Sequence, residues 1–260
     1  MAFDAGQLKE LRAAAEAAAA AGGEVISRNV GASGGAFETK GRGDYVTATD
    51  REAEDAVRAV LADRTPELPF VGEESGGERG DVYWAVDPVD GTTNLLRGFP
   101  VVATSVGLVE HHRAVVGAVD APLLSLRFSS AQGQGAWSGE RRLEVSRRPA
   151  RQAIVAFAIP FRDRSFAPRY RQVLDHVWEA TEDLRETGSA ALDLSWIAAG
   201  VFDGYFEMNL GVWDVAAGAV LITEAGGLMT DWTGGDDYLS GTILAGSPNT
   251  HALLLEATNA

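Results

Sequence analysis

Leu8, Leu11 and Val25, set among strong helix formers, predict a first helix over residues 4–28. Thr49-Asp-Arg-Glu52 has capping-box spacing, and Ala53, Ala56, Val57, Val60 and Leu61 follow at helical intervals until Pro66 limits the helix. Two short apolar runs, Pro69-Phe-Val71 and Val82-Tyr-Trp-Ala-Val86, read as buried strands, each ending close to acidic residues. Further strands are expected at 101–108, 115–119 and 124–128. After a polar, basic stretch at 141–151, strands at 154–158, 183–185, near 228 and near 243 alternate with helices at 170–180, from 189, at 214–225 and from 249; residues 202–208 read as extended. This alternation predicts an α/β second half. The basic stretch is the candidate division between an N-terminal α+β unit (residues 1–146) and a C-terminal α/β unit (residues 147–260), a long surface loop being the alternative.

Composition narrows the function classes. The chain has 260 residues, 46% apolar, with 30 glycines, as expected of an ordinary globular protein. It has no cysteine, which excludes disulfides, thiolate zinc sites and cysteine nucleophiles. The alanine-rich tract from Ala13 to Ala21 is broken by Glu16 and reads as helix rather than signal peptide. No run approaches the roughly 18 consecutive apolar residues of a membrane span. A soluble, cytoplasmic protein is therefore expected. With 22 basic against 37 acidic residues the net charge is −15, which repels nucleic acid and anionic membranes alike. Phosphate would be repelled too, unless cations reverse the sign locally.

Acidic residues recur at the ends of predicted elements. In Trp84-Ala-Val-Asp87-Pro-Val-Asp90-Gly-Thr-Thr-Asn94, a strand delivers Asp87, Pro88 is expected to stop ladder pairing, Gly91 permits unusual backbone angles and Thr92 opens a helix. Two carboxylates thus stand beside free backbone N–H groups: oxygen ligands for hard cations next to a phosphate cradle. Either aspartate alone would more simply be a cap. Glu73 in Phe70-Val-Gly-Glu-Glu-Ser75 and Asp214 in Val212-Trp-Asp-Val-Ala-Ala-Gly218 add acids at a strand end and a helix start, and converging carboxylates need compensating cations.

Together with Val46-Thr-Ala-Thr-Asp50, Gly188-Ser-Ala-Ala191, Phe206-Glu207 and Thr223-Glu-Ala-Gly-Gly227, these segments resemble the signatures of the inositol monophosphatase family, in order, from about residue 5 to residue 255. The bacterial inositol-1-monophosphatase branch is most similar. The resemblance implies a layered α/β/α/β/α sandwich, a homodimer, and two to three Mg2+ per site, with Mn2+ substituting and Li+ inhibiting. It implies that Glu73, Asp87 and the Val89 carbonyl bind one metal, that Asp87, Asp90 and Asp214 bind a second, and that Glu73 serves a third. Gly91 and Thr92 would hold phosphate; Asp50, with Glu73 and Thr92, would direct the attacking water; Ser189, Glu207 and Asp214 would face the substrate alcohol. The glycine-rich segment around Lys40 would be a catalytic loop. The reaction implied is hydrolysis of a small phosphate monoester by metal-activated water, without a phosphoenzyme. Inositol 1-phosphate leads, followed by histidinol phosphate, fructose 1,6-bisphosphate or a dinucleotide phosphate. The alternative is an accessory partner of the transcription machinery.

Charge arithmetic points the same way without the resemblance. Glu73, Asp87, Asp90 and Asp214 supply four negative charges, and a phosphate monoester adds about two. Three divalent cations balance that sum. The three-residue step from Asp87 to Asp90 disfavours a haloacid-dehalogenase phosphatase, whose acids stand two apart. Gly-Thr-Thr-Asn94 departs from the nucleotide-phosphatase branch, and Leu95 replaces a frequent aromatic, so altered packing is expected there. His111-His112 reads as a solvated turn, His176 and His251 as surface residues, Trp213 as packing at a helix start, and Arg185 as either a surface ion pair or a contact to substrate or a second subunit. Arg147-Arg148 is too short for a nucleic-acid patch.

Overall fold

The computed structural model describes residues 3–30, 37–41, 44–159 and 164–260. The first helix, α1 (Ala5–Asn29), is capped by Asp4, whose carboxylate accepts from the Gly6 and Gln7 amides while Gln7 reaches back. A short hairpin, β1 (Phe37–Gly41) and β2 (Asp44–Thr47), leads into α2 (Ala48–Arg64). The cap of α2 is Thr47 rather than Thr49, with Asp50 in place of Glu52 as its capping-box partner. Thr47 is still extended, whereas Thr49 already lies in the first turn. Of the glycine-rich loop, Gly31–Gly35 and Arg42-Gly43 lie outside the described residues, and Lys40 falls on β1.

Seven strands form the larger sheet: β3 (Phe70–Gly72), β4 (Val82–Asp90), β5 (Ala103–Glu110), β6 (Arg113–Ala121), β7 (Leu126–Ala131), β8 (Ala136–Ser138) and β9 (Arg141–Arg142), neighbours in that order. Only β3 and β4 pair in parallel. A short helix, α3 (Thr92–Arg97), follows β4. His111 and His112 are the two exposed residues of the β5–β6 turn, both at positive φ, as a tight hairpin requires.

The second sheet contains β10 (Ile154–Phe157), β11 (Asp183–Arg185), β12 (Gly204–Glu207), β13 (Leu228–Asp231) and β14 (Ile243–Gly246), in the order β11-β10-β12-β14-β13. The β10–β11 and β10–β12 pairs are parallel, and the pairs made by β14 are antiparallel. Its helices are α4 (Ala167–Ala180), α5 (Ala190–Ala198), α6 (Val212–Glu224) and α7 (Pro248–Asn259).

Three apolar cores define the layering. Leu8, Leu11, Ala15 and Ala18 of α1 and Val57 and Leu61 of α2 pack on Trp84, Val106, Leu108 and Val116 of the larger sheet. On its other face, Leu192, Leu194 and Ile197 of α5 and Val215, Leu221 and Ile222 of α6 join Val119 and Phe128 to Tyr205, Ile243 and Ala245 of the second sheet. Tyr170, Val173 and Val177 of α4 and Leu254 and Ala257 of α7 cover that sheet's far side through Phe206 and Leu244. The result is the expected five-layer α/β/α/β/α sandwich. Helix α6 lies very close to β5 and β6: a Cβ on Gly107 would stand 2.5 Å from the Ala216 Cβ, and one on Gly117 would stand 2.5 Å from the Ala217 carbonyl oxygen. Leu95 is buried with Val25, Ile26, Ala53, Val89 and Val102, filling its site with an aliphatic side chain.

Two sequence expectations are corrected here. Pro88 does not end β4, because pairing with β5 resumes at Asp90 after a bulge. His251 is buried rather than exposed, its Nε2 lying 2.8 Å from the Thr230 hydroxyl, and burial pushes its pKa down.

Candidate metal centre

In a regular strand, residues three apart face opposite sides. The bulge in β4 changes that: Asp87 pairs with Ser105 and Asp90 with Ala103, so three steps on β4 meet two on β5. The Val89 amide donates to Asp87 Oδ1 at 2.9 Å, and the Thr104 hydroxyl donates to the Pro88 carbonyl at 2.8 Å, fixing the bulge from inside and from the neighbouring strand. Gly91 then turns the chain into α3 with φ of 94°, in a space where a Cβ would stand 2.8 Å from the Val101 carbonyl oxygen.

Asp214 arrives from the third position of α6, where its carboxylate accepts the Gly211 amide at 2.6 Å. One carboxylate oxygen each from Asp87, Asp90 and Asp214 lies within 4.8 Å of the other two, and all three residues are buried. Asp90 is further held by α5, its Oδ2 accepting from the Ser189 hydroxyl at 2.5 Å and the Ala191 amide at 2.8 Å. Ser189 is also the cap of α5, so one buried hydroxyl joins the helix start to the aspartate. Glu73 follows β3, its amide bound to the Val86 carbonyl at 3.0 Å. It stands outside the tight trio, half-buried, yet its charge acts on Asp87.

The electrostatics of the trio are unfavourable as they stand. Burial, followed by repulsion from Glu73, Asp90 and Asp214, holds the Asp87 carboxyl well above its ordinary pKa. Burial and the Asp214 charge push Asp90 up to about 7, against the lowering effect of its Ser189 and Ala191 hydrogen bonds. These donors are all oxygen, with no sulfur or imidazole, and three acids share one small volume. That set suits a hard divalent cation such as Mg2+. Among the described residues, it is the acidic trio whose geometry fits a metal ion.

Two further groups border the trio. Asp50 is buried beside α3; its Oδ2 accepts the Thr47 amide at 2.8 Å and its Oδ1 accepts the Thr92 hydroxyl at 2.8 Å. The Thr92 hydroxyl also lies 3.0 Å from the Val89 carbonyl oxygen, so the Asp50 and Val89 oxygens share it. Glu207, on β12, accepts a hydrogen bond from the Tyr205 hydroxyl, and burial with the charges of Asp214, Asp90 and Asp193 raises its pKa well above the ordinary value. Arg185, by contrast, pairs with Asp183 on the surface at 2.5 Å.

Sequence reasoning missed Asp193 and gave Asn94 no role. Asp193 is buried in the first turn of α5 and accepts the Thr187 hydroxyl at 2.8 Å. Asn94 Nδ2 donates to the Val101 carbonyl at 2.8 Å and to the Thr187 carbonyl at 2.9 Å, tying α3 to the approach to α5. An acid in the first turn after Gly188-Ser189 was the available signal for Asp193. The Asn94 contact spans 93 residues of chain and leaves no local pattern.

Residues 7–260 match the model of the Inositol monophosphatase family. An inositol-1-monophosphatase of Mesorhizobium japonicum is 39% identical over 223 residues, 84% of each chain. A protein of Escherichia coli K12 named Nus factor SuhB is 39% identical over 221 residues, 83% of each chain. In three dimensions, the extragenic suppressor protein suhB of Bartonella henselae aligns with a TM-score of 0.89 at 34% identity, covering 95% of this chain and 97% of that one. The inositol monophosphatase of Anabaena aligns with a TM-score of 0.86 at 30% identity, covering 96% and 95%.

Proposed function

The chain belongs to the inositol monophosphatase family, and from that premise we propose that it is a Mg2+-dependent phosphatase of small phosphate monoesters, with inositol 1-phosphate its leading substrate. The observation that carries this reading is the convergence of Asp87, Asp90 and Asp214 in a buried, mutually repelling trio beside the start of α3. Asp87, Asp90 and Asp214, with Glu73 and the Val89 carbonyl, are the groups that would hold the cations. Bound there, divalent ions would neutralise the carboxylates, acidify a water and stabilise the departing oxygen.

The chain's own groups divide the remaining work. The amides of Gly91 and Thr92, at the start of α3, have no intrahelical partner and would receive phosphate oxygens. The Thr92 hydroxyl donates to the acceptors Asp50 Oδ1 and the Val89 carbonyl, which would leave its oxygen lone pairs for the attacking water. Asp50 and Thr92, with Glu73, would orient the attacking water and take up its proton. Glu207 and Ser189 stand next to Asp90 and Asp214 and would meet hydroxyls of the departing alcohol. Glu207 already accepts the Tyr205 hydroxyl and would use its remaining lone pairs to accept a substrate hydroxyl.

Relatives named Nus factor SuhB favour a second reading, an accessory partner of the transcription machinery, within which contact with nucleic acid would have to overcome the −15 charge. A screen of inositol 1-phosphate, histidinol phosphate, fructose 1,6-bisphosphate and a dinucleotide phosphate, with and without Mg2+, separates the two. Phosphate release that requires Mg2+ and disappears in Asp90→Asn supports the phosphatase. Partner binding without turnover of any monoester rejects it.

A further inference from the structure

A cleft of about 270 Å³ opens on the α1 side of the larger sheet, away from the acidic trio, between α1, β6, β7 and the β8–β9 turn. Small side chains make the room: Ala19 of α1, Ala118 of β6 and Gly139 of the turn line it. Two arginines enter it, Arg12 from α1 and Arg127 from β7. Each guanidinium is held by a carboxylate through Nε, Arg12 by Glu16 at 2.9 Å and Arg127 by Asp120 at 2.6 Å.

The two supports differ in depth. Asp120 is buried, and α1 presses onto it so closely that a Cβ at Gly23 would stand 1.8 Å from its Oδ2. Arg12 is steadied further by the Trp137 ring, 6.0 Å from its Cζ. With Nε occupied, the terminal nitrogens of both guanidiniums remain for a ligand, and that edge of the fork matches the paired oxygens of a carboxylate or phosphate. Ser129 completes the lining: it is 7% exposed, and its hydroxyl forms no hydrogen bond with another described residue.

We propose that this cleft is a second ligand site, independent of metal, that binds the oxyanion group of a small phosphate- or carboxylate-bearing metabolite between Arg12, Arg127 and Ser129. Two guanidinium forks beside a hydroxyl without a partner among the described residues are what such a group requires. Glu16 and Asp120 hold the forks through Nε and line the cleft with them, so its two charged pairs balance and the ligand is bound by geometry at the terminal nitrogens.

The test is a titration in EDTA at constant ionic strength, read by tryptophan fluorescence and by thermal shift, with inorganic phosphate in one arm and malonate in the other. At least one probe should saturate in the wild type and in Asp214→Asn. Arg12→Gln removes a partly exposed helix pair and the contact with the Trp137 ring, and should still fold normally. Loss of one charge-assisted contact should weaken binding about tenfold in that variant, and Arg127→Gln should weaken it at least as much. The arm that saturates identifies the oxyanion as phosphate or carboxylate. Absence of saturation by both probes, wild-type affinity in Arg12→Gln, or loss of binding in Asp214→Asn each overturns the proposal.

Discussion

Asp90 is the residue on which opposing forces meet. Its hydrogen bonds from Ser189 and Ala191 favour the carboxylate, while burial and Asp214 favour the acid and bring its pKa to about 7. A group raised in the folded state holds its proton there after the unfolded chain has released it. Its contribution to stability is full below the ordinary aspartate range and is lost as pH rises through about 7. Asp87 and Glu207 shift in the same direction. The metal-free protein should therefore melt at progressively lower temperature from pH 5 to pH 8, and Mg2+ should reverse the loss; thermal melts in EDTA and in Mg2+ measure both. Asp90→Asn keeps an acceptor for Ser189 and Ala191 but removes the charge. At pH 8 without metal it should unfold at higher urea than the wild type, by on the order of 1 kcal/mol or more. Its phosphate release should fall by about a hundredfold or more if electrostatic stabilisation of the reaction is the main term lost. A variant that is both less stable and fully active would contradict this account of Asp90.

The elements matter because they carry these residues to one place. Helix α6 brings Asp214 to the trio, and its depth on the sheet is set by the absence of side chains at Gly107 and Gly117. Gly117→Ala must push α6 outward or distort β6, at about 1–3 kcal/mol. Urea unfolding should show that loss, and Mg2+ affinity should fall with it because Asp214 moves with its helix. Asn94 has an analogous role between α3 and the approach to α5. Asn94→Ala leaves the Val101 and Thr187 carbonyls without their donor, at about 1–3 kcal/mol, and a shift in urea midpoint at unchanged slope would measure it. Most elements were legible from apolar periodicity, because buried strands and amphipathic helices leave local patterns, whereas the layers they form were implied by the family resemblance. The start of α2 was misplaced because two threonines two residues apart both precede an acid at capping distance, and only the extended backbone at Thr47 separates them. The bulge at Pro88 was read as a strand end because proline forbids a ladder bond without revealing whether pairing resumes. His251 looked like a surface residue because its partner, Thr230, lies on β13, 21 residues before it in the chain and outside its own helix.

Across the molecule, the five layers place most of the buried charge where α3, α5 and α6 converge on the β4 bulge, and the acids there were legible because each ends a strand or opens a helix. What the sequence did not reveal was the support around them. Asp193, Thr187 and Asn94 act through contacts between segments far apart in the chain, and the Arg12–Arg127 cleft depends on α1 crossing β6 and β7. The central claim is that four acids, remote in sequence, exist to share divalent cations. Calorimetric titration of the metal-free protein with Mg2+, in the presence of a phosphate analogue, tests it most directly. Uptake of two to three ions per chain is expected, reduced in Asp87→Asn and in Asp214→Asn. No uptake, or uptake unchanged in both variants, would contradict it.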